Sequence, residues 1–78
     1  MTDLTNIGID GAKLRKARDK SGLSQSQAGQ AVGVGKAAIS KIERGGTSPS
    51  SDVLARLCKL YGVGIAEITR RNARVEAV

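Results

Sequence analysis

Between residues 36 and 44 the chain sets Lys36, Ala37, Ser40, Lys41 and Arg44 around two isoleucines, Ile39 and Ile42. On a helix the isoleucines fall on one stripe, which leaves the basic and small side chains on the other side. Ammonium and guanidinium groups beside such small neighbours can donate at close range to anionic oxygens and to the ring nitrogens and carbonyls of bases. They do not supply an acid, a base or a nucleophile. The chain has no histidine, and its single cysteine, Cys58, lies on a helical stripe where it reads as a small buried hydrophobe. With no clustered carboxylates and no phosphate-cradling glycine loop, the expectation is no catalytic residue, no metal, no cofactor and no small-molecule ligand.

Thirteen Lys and Arg against seven Asp and Glu give a net charge of +6 in 78 residues, a balance that favours a polyanionic partner. The only aromatic residue is Tyr61. Single-strand binders present several aromatic faces to splayed bases, so duplex DNA fits better. One cysteine allows no internal disulfide, and the apolar runs are too short for a signal peptide or a membrane span, so a cytoplasmic location is expected.

Five helices must position these side chains. Residues 1–9 lack a strong period and are expected to form a loose arm. Asp10 caps a first helix running to about Ser21, with Leu14 and Ala17 inward and Lys13, Arg15, Lys16 and Lys20 in water; Gly22 ends it. Ser24 with Gln27 three residues on is a capping box, and Leu23 with Ala28 forms the accompanying staple. The second helix is expected to turn Ala28, Ala31 and Val32 inward and to stop at Gly33, with Val34 packed under the turn. Gly35 caps the third, which runs to about Arg44 and buries Ile39 and Ile42. After the loop at Thr47–Ser51, Ser50 caps a fourth helix with a broad apolar face of Val53, Leu54, Leu57, Cys58, Leu60 and Tyr61. Gly62 and Gly64 break it before a short fifth helix begun by Ile65 and Ile68. Residues 70–78 either extend that helix or fray as a basic tail.

Two short amphipathic helices around one glycine turn are the pattern of a helix-turn-helix. The order Leu14-Arg15 with Arg18, Gly22-Leu23-Ser24-Gln25, Gly33-Val34, Ile39-Ser40, Glu43-Arg44-Gly45, Pro49-Ser50 and Leu60 through Val63 resembles the Cro/C1-type helix-turn-helix family, from about Gly11 to Ile68. The resemblance implies an all-α, compact five-helix, lambda repressor-like DNA-binding domain over residues 10–69, with the second and third helices as the DNA-reading unit. It implies that Lys36, Ala37 and Lys41 reach base edges and that Ser24, Arg44 and the following loop hold the backbone. It further implies that Gln25 touches a phosphate while bracing the third helix, and that Arg18 and Glu43 form a salt bridge between the first helix and the third. The physical reading agrees that a helix N-terminus at Ser24 and Gln25 suits a phosphate, and that Lys36 and Lys41 can donate to guanine. The DNA-facing set is Ser24, Gln25, Gly35, Lys36, Ala37, Ser40, Lys41 and Arg44. One departure is Ala28-Gly29 where the family carries leucine and alanine, which lets the second helix sit closer to the third.

The expected function is a sequence-specific regulator of transcription on double-stranded DNA, a repressor by occupancy of a near-palindromic operator. One helix-turn-helix reads only a few base pairs, so a homodimer is expected. Val63, Ile65, Ile68 and Val75 either close the core or form the dimer seam. The alternative is an antitoxin-like protein-interaction module whose C-terminal tail binds a partner protein.

Overall fold

Asp10 starts the first helix because its carboxylate accepts from the N–H groups of Ala12 at 2.9 Å and Lys13 at 3.4 Å, donors with no partner inside a helix. The computed structural model describes residues 8–69, and the helices are α1 (Gly11–Lys20), α2 (Gln25–Val32), α3 (Lys36–Glu43), α4 (Ser51–Tyr61) and α5 (Ile65–Ile68). α2 opens on a reciprocal capping box: Ser24 Oγ accepts from Gln27 N at 3.0 Å, and Gln27 Oε1 accepts from Ser24 N at 2.8 Å. It closes at Gly33, whose φ of +81° permits a Schellman turn. Gly33 N donates to Gln30 O, and Val34 N donates to Gly29 O at 2.8 Å. Ser50 Oγ accepts from Val53 N at 3.2 Å to begin α4. No helix among the described residues is long and apolar enough to cross a membrane.

One core joins the five elements: Leu14 and Ala17 from α1, Ala28 and Val32 from α2, Ile39 and Ile42 from α3, Leu57 and Tyr61 from α4, and Ile68 from α5. Leu23, Val34, Val53, Leu54, Cys58, Leu60 and Val63 pack around it while half-buried. Each helix is short, so this shared apolar burial, and not propensity, holds it in place.

Three expectations are corrected here. Ala31 is exposed, and Gly29 takes the inward place beside Ala28 and Val32. The buried stripe of α2 is turned toward α3: a methyl group on Gly29 would lie 2.4 Å from the backbone carbonyl of Gly35, so only hydrogen fits between helix and turn. Ile9 does not belong to a loose arm. It forms an antiparallel bridge with Thr69, and Asp10 N donates to Ile68 O at 2.8 Å, which ties the start of the domain to the end of α5. Ile68 is 1% exposed within the core cluster, which leaves it no surface to offer a dimer seam. Ile65, by contrast, is 52% exposed, and Val63 is half-buried. Val75, residues 1–7 of the arm and the tail from 70 onward lie outside the described residues.

Burial pushes the Tyr61 phenol up to about 12, helped by the nearby Glu43 carboxylate and opposed by Arg18. The neutral phenol is therefore favoured in the folded state. Its contribution to stability is complete below the ordinary tyrosine value near 10 and is lost as pH rises toward 12. As the chain has one tyrosine and no tryptophan, an ultraviolet titration reads this group alone. The phenolate band is expected to develop only as the pH approaches 12, whereas a midpoint near 10 in the folded protein would contradict the packing described.

Candidate nucleic-acid interface

α3 is committed on one side, with Ile39 and Ile42 buried, and presents Lys36, Ala37, Lys41 and Arg44 to solvent with Ser40 half-buried between them. Its glycine cap Gly35 is exposed, holds φ +90° and adds no side chain at the entrance to the helix. Residues 36, 40 and 44 lie one turn apart on the same face. This face forms one wall of an open concavity of about 580 Å³ lined by Arg15, Arg18, Ser24, Gln25, Ser26, Lys36, Ser40 and Arg44. The other walls are the N-terminus of α2 and the middle of α1, so the concavity brings an exposed arginine, a helix N-terminus and the basic stripe of α3 to one place.

Of the residues singled out from the sequence, Ser24, Gln25, Lys36, Ser40 and Arg44 meet in this concavity. Ala37 and Lys41 lie on the outward ridge of α3 beside it; a methyl on Gly46 would meet the Lys41 Cγ at 3.1 Å, so the lysine stem lies over the turn that follows α3. Arg15 and Ser26 are additions of the structure. The signal for Arg15 was its place one turn before Arg18, on the flank of α1 that faces α2 and α3.

A buried polar network sets the angle between these walls. Arg18 Nε donates to Glu43 Oε2 at 2.7 Å and Nη2 to Oε1 at 3.1 Å, with the two side chains 9% and 4% exposed. Arg18 Nη1 donates to the Leu23 carbonyl at 2.8 Å, fixing the chain just before α2. Gln25 Nε2 completes the set by donating to Glu43 Oε1 at 3.1 Å. α1, α2 and α3 thus share one carboxylate. The hydrogen bond to Glu43 raises the Arg18 pKa against the opposing cost of burial, so the guanidinium stays charged. Among the described residues no buried side-chain nitrogen or oxygen lacks a partner.

Arg44, the C-cap of α3, is exposed, and among the described residues its side chain makes one long hydrogen bond, Nε donating to the Ser40 carbonyl at 3.4 Å. The concavity is shallow, polar and cationic, unlike an enclosed ligand pocket. Three or more His, Cys, Asp or Glu side chains do not gather anywhere among the described residues as a metal site would require. The half-buried Cys58 thiol is pushed up by burial and by the charge of Glu67, the opposite of an activated nucleophile.

A family model described as a helix-turn-helix domain matches residues 11–70. The chain is similar to the HTH-type transcriptional regulator PuuR of Escherichia coli, 39% identical over 57 residues that cover 73% of this chain and 31% of PuuR. It is 37% identical to the cryptic phage CTXphi transcriptional repressor RstR of Vibrio cholerae, over 73% of this chain and 51% of that protein. The chain thus spans from under a third to about half of the length of these relatives. Among solved structures, the P22 c2 repressor in complex with synthetic operator 9T superimposes with a TM-score of 0.67 at 35% identity, covering 69% of this chain and 82% of that one. The capped α2, the glycine turn and the half-buried α3 belong to the region these proteins share, and the chain is a member of the Cro/C1-type helix-turn-helix family.

Proposed function

We propose that the chain is a sequence-specific, double-stranded DNA-binding regulator of transcription, a repressor acting by occupancy of its operator with α3 in the major groove. The observation that carries this reading is the solvent face of α3. Every residue on it is small or basic, and it stands beside the α2 N-terminus in one open concavity. Two relatives carry regulator or repressor in their names, and the P22 c2 repressor is held on an operator, which supports the same use of the fold here. Lys36, Ala37 and Lys41 read base edges. Ser24, Gln25 and Arg44 hold phosphates, and Ser40 and Gly35 leave room for close approach. The repressor is a homodimer joined through the exposed Ile65 and the neighbouring Val63, with half-sites about 10 bp apart.

Selection of bound duplexes from a random pool at near-physiological salt, followed by sequencing, tests the reading. An enriched inverted repeat supports it and gives the half-site spacing. Salt-sensitive retention of all DNA without enrichment would refute sequence-specific regulation and point to a face used for protein binding. On the selected site, Lys41→Ala is expected to relax discrimination at one base position by about 1–3 kcal/mol. Arg44→Ala should weaken all sequences alike and make the salt dependence shallower by about one unit. Identical footprints and slopes for the two variants would contradict these roles.

A further inference from the structure

α1 divides its positive charge between two flanks. Lys13, Lys16 and Lys20 fall on the flank beside α5, where they line a groove with Val63, Glu67 and Ile68. Lys13 Nζ donates to the Thr69 carbonyl at 3.1 Å, and Glu67 is occupied in accepting from Gly64 N at 2.8 Å. Arg15 and Arg18 fall on the other flank and enter the concavity shared with α2 and α3. They are not equivalent there. Arg18 is buried and spends its donors on Glu43 and the Leu23 carbonyl. Arg15 is exposed and makes no hydrogen bond or ion pair among the described residues, although it lines the same concavity as Ser24, Gln25 and Ser26.

We infer that Arg15 is a phosphate-binding residue of the DNA interface, a contact made by α1, outside the helix-turn-helix itself. The inference rests on the proposed DNA-binding reading and extends it. α1 forms the rim of the concavity and α3 presents the base-reading stripe, so a side chain from α1 meets the sugar-phosphate backbone as it passes the start of α2. There a guanidinium adds its fork of donors to the helix N-terminus and to the Ser26 hydroxyl. The contact carries charge and position but no sequence information.

The test compares charge removal on the two flanks of the same helix. Affinities of the unaltered chain and of R15A, R15K and K20A are measured by fluorescence anisotropy across a salt series, on the selected duplex and on a scrambled duplex of equal length. R15A is expected to weaken both duplexes by the same factor and to make the slope of log affinity against log salt shallower by about one unit. R15K should restore the slope, and K20A, with the same net charge as R15A, should keep it. All four proteins should melt alike, because both side chains are exposed. An unchanged slope in R15A, or an equal loss in R15A and K20A, would overturn the inference while leaving DNA binding intact. A loss confined to the selected duplex would make Arg15 a base reader and overturn the phosphate role. Failure of the unaltered protein to bind either duplex would overturn the DNA-binding reading itself, and this inference with it.

Discussion

Glu43→Ala is expected to lower the free energy of unfolding by about 3–5 kcal/mol, the range for removing one partner of a buried ion pair. The cause is the charge left behind. Arg18 is 8% exposed, and without Glu43 its guanidinium keeps one bond to the Leu23 carbonyl and a distant approach to the exposed Asp19. Gln25 loses its acceptor as well, so the start of α2 is released from α3. A chain of this size has a total stability of about 4–12 kcal/mol at ~0.05–0.15 kcal/mol per residue, so the loss is a large fraction of the whole and unfolds much of the protein at room temperature only at the low end of that range. Glu43→Gln keeps the shape and one acceptor and should lose less. The double replacement of Arg18 by Met and Glu43 by Leu should recover most of the loss, because an apolar pair of similar volume carries no stranded charge. Urea denaturation of the three variants checks the order, read as midpoints at unchanged slope. A Glu43→Ala midpoint near that of the unaltered protein would show that the pair behaves as an exposed ion pair, worth little to stability.

Gly11→Ala is expected to be the second most damaging change, although alanine is the better helix former by about 1 kcal/mol. A methyl group at residue 11 would stand 2.5 Å from the carbonyl oxygens of both Ile42 and Glu43, and backbone cannot swing aside as a side chain can. α1 must then withdraw from the end of α3, which also stretches the Arg18 to Glu43 bonds. Overpacking of this kind costs about 1–3 kcal/mol, in this small domain a melting temperature lower by roughly 4–8 °C per kcal/mol. Because α3 presents the basic stripe, DNA affinity should fall together with stability. Thermal melting followed by circular dichroism checks it, and a melting temperature equal to that of the unaltered chain would show that α1 and α3 are not in this contact.

Much of the architecture is written in short-range chemistry. Asp10, the Ser24 and Gln27 pair, and Ser50 each cap a helix through bonds reaching two or three residues along the chain. Gly33 ends α2 in the positive-φ conformation that its lack of a side chain permits. Such signals need only neighbours in sequence, so the helix limits could be read to within a residue or so. The apolar spacing of Leu14 with Ala17 and of Ile39 with Ile42 likewise told which face turns inward, and so which side chains of α3 stay in water.

What the tertiary structure alone decided lies between elements distant in the chain. Whether Ala31 or Gly29 faces inward depends on how near α3 approaches, and a helical stripe about 100° wide admits either. Ile68 was open to two roles, core or seam, until its full burial in the core cluster was known. The pairing of Ile9 with Thr69 joins residues sixty positions apart that carry no mutual signal in composition or period. Arg15 looked like one of several wet cations on α1; its place one turn before Arg18 puts the two on one flank, and the direction in which α2 and α3 pack makes that flank part of the concavity, apart from Lys13, Lys16 and Lys20. The sequence by itself determined five helices, the caps of the first four, the inner faces of α1 and α3 and the basic stripe on α3, because capping and periodicity act over a few residues. The folded structure determined which of those faces meet and which charges share a wall, because that follows from side-chain volume and close approach summed over the whole core.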